Sequence, residues 1–245
     1  MKIDLHGQQA FITGGSSGIG RAAALALSAC GCAVTVTGLT GREVAAFLAD
    51  PLCAGIDAEV LDVANNAAIV AALARLPRLD ILVNAAGIGG QGPAEFTDEG
   101  FMRSIEINVA GTMRVCYAAR KALAQRGGAI VNIASMMSFF GSATAPAYSA
   151  GKGAVVQFTK SLAVAWAEGG IRVNAVAPGW IDTPMTRPLQ DDVERNGRVM
   201  GRSPMKRWGR PEEIAAGIVF LCSPMASFVN GVVLPIDGGY MVAGM

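Results

Sequence analysis

The chain has 245 residues, 52% of them hydrophobic, and a net charge of +1; it can bury a large core and has no charged block to attract nucleic acid or an anionic membrane. Its five cysteines are odd in number and form no CxxC, and the single histidine, His6, has no metal-ligand neighbours, so free buried thiols are expected rather than disulfides or a metal site. Three stretches lack charge for the length of a membrane span (22–41, 127–151 and 214–236), but Gly, Pro, Ser, Thr or Asn interrupts each, and no cleavable leader is seen; a soluble, cytoplasmic, unprocessed protein is expected.

Residues 8–13 read as a first strand, followed by Gly14-Gly15-Ser16-Ser17-Gly18-Ile19-Gly20 and an Ala-rich helix over 21–29. Strand, glycine turn and helix together form the context in which glycines cradle a phosphate, because the helix start offers free N–H groups and positive dipole. A second strand, 32–37, ends at Thr37-Gly38-Leu39-Thr40-Gly41-Arg42, with no carboxylate before Glu43. An acidic residue there usually holds a dinucleotide's ribose 2′-hydroxyl. A short helix and a third strand, 58–61, lead to Asp62-Val63; Asn65 suits the cap of a helix over 67–76. The fourth strand, 79–83, ends in Asn84-Ala85-Ala86-Gly87, followed by a loop over 89–97. One long helix is expected from Asp98 to about Gln125, with Asn108 near its middle, where a polar side chain is either solvated or turned toward a site.

The fifth strand, 130–134, stops at Ser135, and after a loop Pro146 suits the first turn of a long helix reaching about Glu168. Tyr148 and Lys152 stand four apart on that helix and share a face, so a phenol, an ammonium and the Ser135 hydroxyl can converge at the carboxyl end of one strand. Open α/β sheets bind ligands there; an isolated pair of this kind would be surface decoration. A sixth strand, 171–177, ends at Pro178-Gly179-Trp180-Ile181-Asp182-Thr183. Residues 184–208 mix charge with methionines, as a substrate flap does. A helix over 211–222 and a strand over 232–236 precede Asp237-Gly238-Gly239. Strands alternate with helices throughout, which predicts an α/β, doubly wound parallel sheet in one domain spanning 1–245.

These motifs, in this order and spacing, resemble those of the compact short-chain dehydrogenases/reductases: Thr13-Gly14 with Gly18-Ile19-Gly20, Asp62-Val63, Asn84-Ala85-Ala86-Gly87, Asn108, Ser135, Tyr148 with Lys152, Pro178-Gly179, Thr183 and Asp237-Gly238-Gly239. Asn84-Ala85 stands where Asn-Asn is commoner. The resemblance implies a seven-stranded Rossmann sheet, a homotetramer and NAD(P)-dependent hydride transfer between a secondary alcohol and a ketone. It makes Tyr148 the general acid/base, its pKa lowered by Lys152 and the cofactor's positive ring; Ser135 holds the substrate oxygen and Asn108 a relay water. It sets the dinucleotide against Gly14, Ser16, Ser17, Gly18, Ile19 and Gly20, then Gly38 and Leu39, Asp62 and Val63, Asn84 to Gly87, Tyr148 and Lys152, and Pro178, Gly179, Ile181 and Thr183. Gly38 and Leu39 supply neither an acid for NAD nor an arginine for NADP; the balance leans to NAD(H), with Arg42 in reach of a 2′-phosphate. Met137, Trp180 and Met185 beside Ser135 suggest a small, apolar or neutral polyol-like substrate, although Arg187 and Arg202 in the flap could reach a charged one. The alternatives are an NADPH-dependent 3-oxoacyl-thioester reductase, with Arg120, Lys121, Arg126 and Arg172 facing an acyl carrier protein, and a non-catalytic dinucleotide-binding regulator.

Overall fold

The computed structural model describes residues 3–90 and 92–243. Seven parallel strands form one sheet in the order β3-β2-β1-β4-β5-β6-β7. They are β1 Gln9–Thr13, β2 Ala33–Gly38, β3 Asp57–Val60, β4 Ile81–Asn84, β5 Ala129–Ile133, β6 Arg172–Pro178 and β7 Val233–Ile236. The helices are α1 Gly18–Ala29, α2 Gly41–Leu48, α3 Asn66–Ala74, α4 Asp98–Ile105, α5 Thr112–Ala124, α6 Pro146–Trp166, α7 Arg187–Gln190, α8 Val193–Arg202 and α9 Pro211–Cys222. None among the described residues is long and apolar enough to cross a membrane.

Successive strand residues point to opposite faces, so the apolar runs of the central strands feed two cores. Ala10, Ile12, Ile81 and Val83 pack with Leu27 of α1 and Ile214 and Ile218 of α9. Phe11, Leu82 and Ile130 pack on the other face with Ile69 of α3, Val115 of α5 and Leu162 of α6. The five cysteines are free, four of them buried; burial pushes the Cys32, Cys116 and Cys222 thiols up to about 12. The chain leaves β1 through β2 to β3 and returns to β4 on the other flank of β1, which opens a crevice above the carboxyl ends of β1 and β4.

Two segments depart from the sequence reading. The single helix expected over 98–125 is broken by a π-helical turn, Glu106–Gly111, between α4 and α5. The Thr112 hydroxyl donates to the Asn108 carbonyl at 2.9 Å, and the wider turn carries Asn108 inward, a common use of π-bulges. The loop over 89–97 contains a 3₁₀ turn, Pro93–Phe96.

A buried polar chain ties the centre of the sheet to α6. Asn84 Nδ2 donates to Asn132 Oδ1 at 2.9 Å, Asn132 Nδ2 donates to Thr159 Oγ1 at 2.9 Å, and Thr159 Oγ1 donates to the Val155 carbonyl at 2.8 Å. Asn132→Ala strips a partner from both Asn84 and Thr159, so it should lower the unfolding free energy by about 1–3 kcal/mol. Urea titration should show a lower midpoint with an unchanged m-value.

Candidate functional site

One cavity of about 520 Å³ lies above the crevice, lined on one side by Gly14, Ser16, Ser17, Gly18, Ile19 and Gly20 and on the other by Ser135, Tyr148 and Lys152. The β1–α1 turn suits an anion. Ser17 occupies the N-cap of α1 without a side-chain cap bond, so the first amides of the helix are free of an internal cap. Gly14 has φ +63°, and a Cβ on it would stand 2.7 Å from the Ala86 backbone, so only glycine allows the β1 and β4 turns to close on each other. Both observations fit a dinucleotide, whose pyrophosphate these amides would hold and whose other parts Leu39, Asp62, Val63, Ala85, Ala86, Gly87, Pro178, Gly179, Ile181 and Thr183, all at the cavity wall, would border. Thr186 fixes the last of these, accepting from Thr183 N at 3.1 Å and donating to the Ile181 carbonyl at 2.6 Å.

Four expected residues stand elsewhere. Asn84 is turned into the sheet interior, where its amide serves the polar chain. Gly38 ends β2 behind the wall, where a Cβ would meet Ser16 Oγ at 2.9 Å, so Leu39 takes its place at the surface. Met137 is outside the cavity lining, because the chain turns at once after β5: Ser135 Oγ accepts from Met137 N at 3.2 Å and starts a 3₁₀ turn. Trp180 turns away into an aromatic cluster, edge-on to Trp208 at 5.8 Å and Tyr240 at 6.3 Å. Met185 does reach the wall.

The polar triplet is deeply set. Lys152 is 5% exposed, and its Nζ donates to the Ile133 carbonyl at 2.7 Å and lies 5.7 Å from the Tyr148 ring centre. Burial lowers its pKa to about 8. Burial also raises the Tyr148 phenol; Ser135 pulls it back and the Glu95 charge adds to the rise. The lowering expected from Lys152 therefore does not arise in the chain alone. The Asn108 side chain is already engaged. Its Oδ1 accepts from Ile88 N and its Nδ2 donates to the Ile88 carbonyl and Ser104 Oγ, each at 3.1 Å, so the side chain locks the turn after β4 and is not left to bind water.

Several lining residues were not anticipated: Glu43, Ile88, Arg103, Ile107, Pro184 and Thr186 among them. Arg103 had a signal, since Ile107 follows it one helical turn later on the row beside Ser104 and Asn108. The flap cations are occupied. Arg187 pairs with Asp182 at 3.0 Å, and Arg202 lies over the rings of Tyr240 and Phe140 at 4.4 and 5.2 Å.

A family model described as Enoyl-(Acyl carrier protein) reductase matches residues 14–241. The chain is 38% identical to 2-dehydro-3-deoxy-D-gluconate 5-dehydrogenase of Bacillus subtilis (strain 168), covering 98% of this chain and 96% of that protein. It is 40% identical to galactitol 2-dehydrogenase (L-tagatose-forming) of Cereibacter sphaeroides, covering 97% and 96%. Among solved structures, a gluconate 5-dehydrogenase from Burkholderia cenocepacia J2315, in complex with NADP and tartrate, superposes with a TM-score of 0.91 at 34% identity over 99% of this chain and 98% of that one.

Burying a charged Lys152 costs stability. Its folded pKa of about 8 lies below the ordinary lysine value of 10.5, so below pH 8 the charge is carried at a penalty, which is relieved as pH rises from about 8 to 10.5. Lys152→Met should therefore stabilise the ligand-free protein at pH 7 by about 1–2 kcal/mol. The gain should shrink toward pH 10, as thermal or urea unfolding at the two pH values will register.

Proposed function

The chain belongs to the short-chain dehydrogenase/reductase family, and from that membership we propose that it interconverts a small, polyol-like secondary alcohol and its ketone, with Tyr148 as general acid/base. It is an oxidoreductase of CH–OH groups that uses a nicotinamide dinucleotide. The observation that carries the finer reading is the meeting of Ser135, Tyr148 and Lys152 in the cavity that also holds the glycine turn. The bound nicotinamide supplies hydride transfer. Ser135 donates a hydrogen bond to the substrate oxygen and stabilises the charge that develops on it. In oxidation the Tyr148 phenolate accepts the hydroxyl proton; in reduction the phenol returns it. Lys152, with a pKa of about 8, is mostly charged at neutral pH; in this reading it favours the phenolate only together with the positive ring of a bound cofactor, since the chain alone leaves the phenol raised. With the Asn108 side chain engaged, its main-chain carbonyl, which accepts from the Thr112 hydroxyl at 2.9 Å, is the group left to hold a relay water in this reading.

The apolar walls and the engaged flap arginines favour a neutral substrate, with Arg103 of α4 the cation that remains at the cavity wall. Ile88, Pro184 and Met185 are apolar, and Arg187 and Arg202 are held by Asp182 and by aromatic rings. The names of the relatives agree with a polyhydroxylated substrate, and of the two only galactitol is neutral, gluconate-type substrates carrying a carboxylate. The acyl-thioester alternative has the description of the family model on its side. The basic residues it needs are badly placed. Arg172 donates inward to the Leu221 carbonyl at 2.8 Å and Arg120 covers the Trp166 ring. Arg126 and Arg172 also sit at the amino ends of β5 and β6, the far edge of the sheet from Ser135 and Gly179.

For the cofactor form, Glu43 argues for NAD(H). Its Oε2 accepts from Leu39 N at 2.8 Å and Thr40 N at 3.4 Å, so it withdraws two backbone donors and sets a negative charge at the cavity wall where a 2′-phosphate would need the opposite. The NADP found in the gluconate 5-dehydrogenase makes this a sharp test.

Tyr148→Phe should lower kcat by about 10²–10⁴-fold with dinucleotide affinity nearly unchanged; wild-type turnover would remove the mechanism. Polyol-type alcohols should outperform a 3-oxoacyl thioester in kcat/KM, and a preference of more than about a hundredfold for the thioester, roughly 2.7 kcal/mol, would replace the substrate assignment. Titration should give a lower Kd for NAD(H) than for NADP(H), and Glu43→Ala should narrow that ratio by about tenfold or more.

A further inference from the structure

We propose that Glu95 is the positioning residue of Tyr148: from the 3₁₀ turn at 93–96 its buried carboxylate caps the amino end of α6 and holds the first turn of that helix against the loop after β4. This inference rests on the assignment of Tyr148 as acid/base.

The helix that carries Tyr148 and Lys152 begins badly by itself. Its N-cap is Ala145, which has no side-chain acceptor, and Pro146 follows at the first helical position. A helix start presents amides with no internal partner, and Ser, Thr, Asp or Asn normally serves one of them. Here the acceptor comes from 53 residues away: Glu95 Oε2 accepts from Tyr148 N at 3.0 Å. Glu95 is only 6% exposed, rare for a carboxylate, and no lysine or arginine among the described residues forms an ion pair with it. The positive end of α6 and the Tyr148 amide are its compensation.

The surroundings are shaped to this group. A side chain on Gly90 would run into Glu95 Oε1, so the loop crosses directly over the carboxylate. Gly92, at φ +92°, then donates its N–H to the Thr144 carbonyl at 3.1 Å, a second tie between the loop and the approach to α6. The same loop carries Ile88, which Asn108 holds by two hydrogen bonds, and Gly89, which lies against Met185. One loop thus connects the Asn108 anchor, the flap and the amino end of the Tyr148 helix, and Glu95 is its attachment to the last of these.

The carboxylate does not line the cavity, so it acts through Tyr148 and not on substrate. Its negative charge opposes ionisation of the phenol, whereas Ser135 favours it. The other ionisable groups facing that phenol are Lys152 on α6, 5.7 Å from its ring centre, and Arg103 on α4, which lines the same cavity.

Two variants separate geometry from charge. Glu95→Gln keeps an acceptor of the same reach and removes the charge; Glu95→Ala removes both. In alcohol oxidation, the rising limb of the kcat profile should move to lower pH by about half a unit or more in Glu95→Gln, with kcat on the plateau within about threefold of wild type. Glu95→Ala should lose about tenfold or more in kcat, while dinucleotide Kd stays within about threefold of wild type in both variants. A Glu95→Gln profile that superimposes on wild type, or full turnover by Glu95→Ala, would overturn the inference. Should Glu95→Ala fail to fold, the Glu95→Gln profile decides alone. The same profile run on the residual activity of Tyr148→Phe keeps the two readings apart: persistence of the limb there would overturn the acid/base assignment itself, and this inference with it.

Discussion

The site exists because two turns touch. The segments that follow β1 and β4 close on each other so tightly that a single Cβ at Gly14 would collide with the Ala86 backbone. The topology demands this approach, since the chain leaves β1 on one flank and returns to β4 on the other, and the ends of adjacent parallel strands must diverge around whatever sits between them. Further contacts build on that one. Gly87 follows in the same turn, and a Cβ there would stand 2.8 Å from Asn108 Oδ1; Asn108 in turn holds Ile88. The glycines of the two turns are therefore packing residues as much as turn residues, and their small size sets the distance between the cofactor half of the cavity and the reactive half.

The reactive half is stiffened from below. Asn84, Asn132 and Thr159 form a line of hydrogen bonds through the interior, joining β4, β5 and α6, with Asn84 Oδ1 left unpartnered among the described residues at its end. A buried line of this kind is costly when incomplete and rigid when satisfied. It fixes the axial position of α6, while the Ile133 carbonyl fixes the Lys152 ammonium laterally. A side chain with four rotatable methylenes is thereby held in one place without an anionic partner. A carboxylate partner would have kept the charge more cheaply, but it would also have neutralised the field that Tyr148 needs.

Much of this was legible in the residues. The alternation of strands and helices, the glycine turn and the Tyr148–Lys152 spacing follow from local rules, and all seven strands fall within two residues of their expected places. Long-range placement was not legible. Nothing local marks the π turn, because Asp98 to Gln125 has ordinary helical composition, and the break is visible only in the backbone of Glu106–Gly111. Trp180 follows the same strand as Gly179, but its direction is set by Trp208 and Tyr240, which arrive from distant segments. Arg172 and Arg202 read as free surface charges until the carbonyl of Leu221 and the ring of Tyr240 are seen to hold them.

That last pair indicates how specificity is divided in the molecule. The proposed cofactor side is built from backbone, from glycines and free helix amides, and such groups read phosphate and shape with little scope for variation. The substrate side is built from side chains that distant elements must aim: Ile88 by Asn108, and Met185 by the turn that Thr186 ties together. Cations that would read an acidic substrate are present in this part of the sequence, yet the fold spends them on structure, with Arg187 on Asp182 and Arg202 on an aromatic pair. A charged substrate would have to displace one of these contacts before it gained its own, whereas a neutral hydroxylated one has only to exclude water from apolar walls beside a single hydroxyl donor. In the substrate reading proposed above, preference against charge comes in part from what the flap arginines already hold, a property no motif along the chain records.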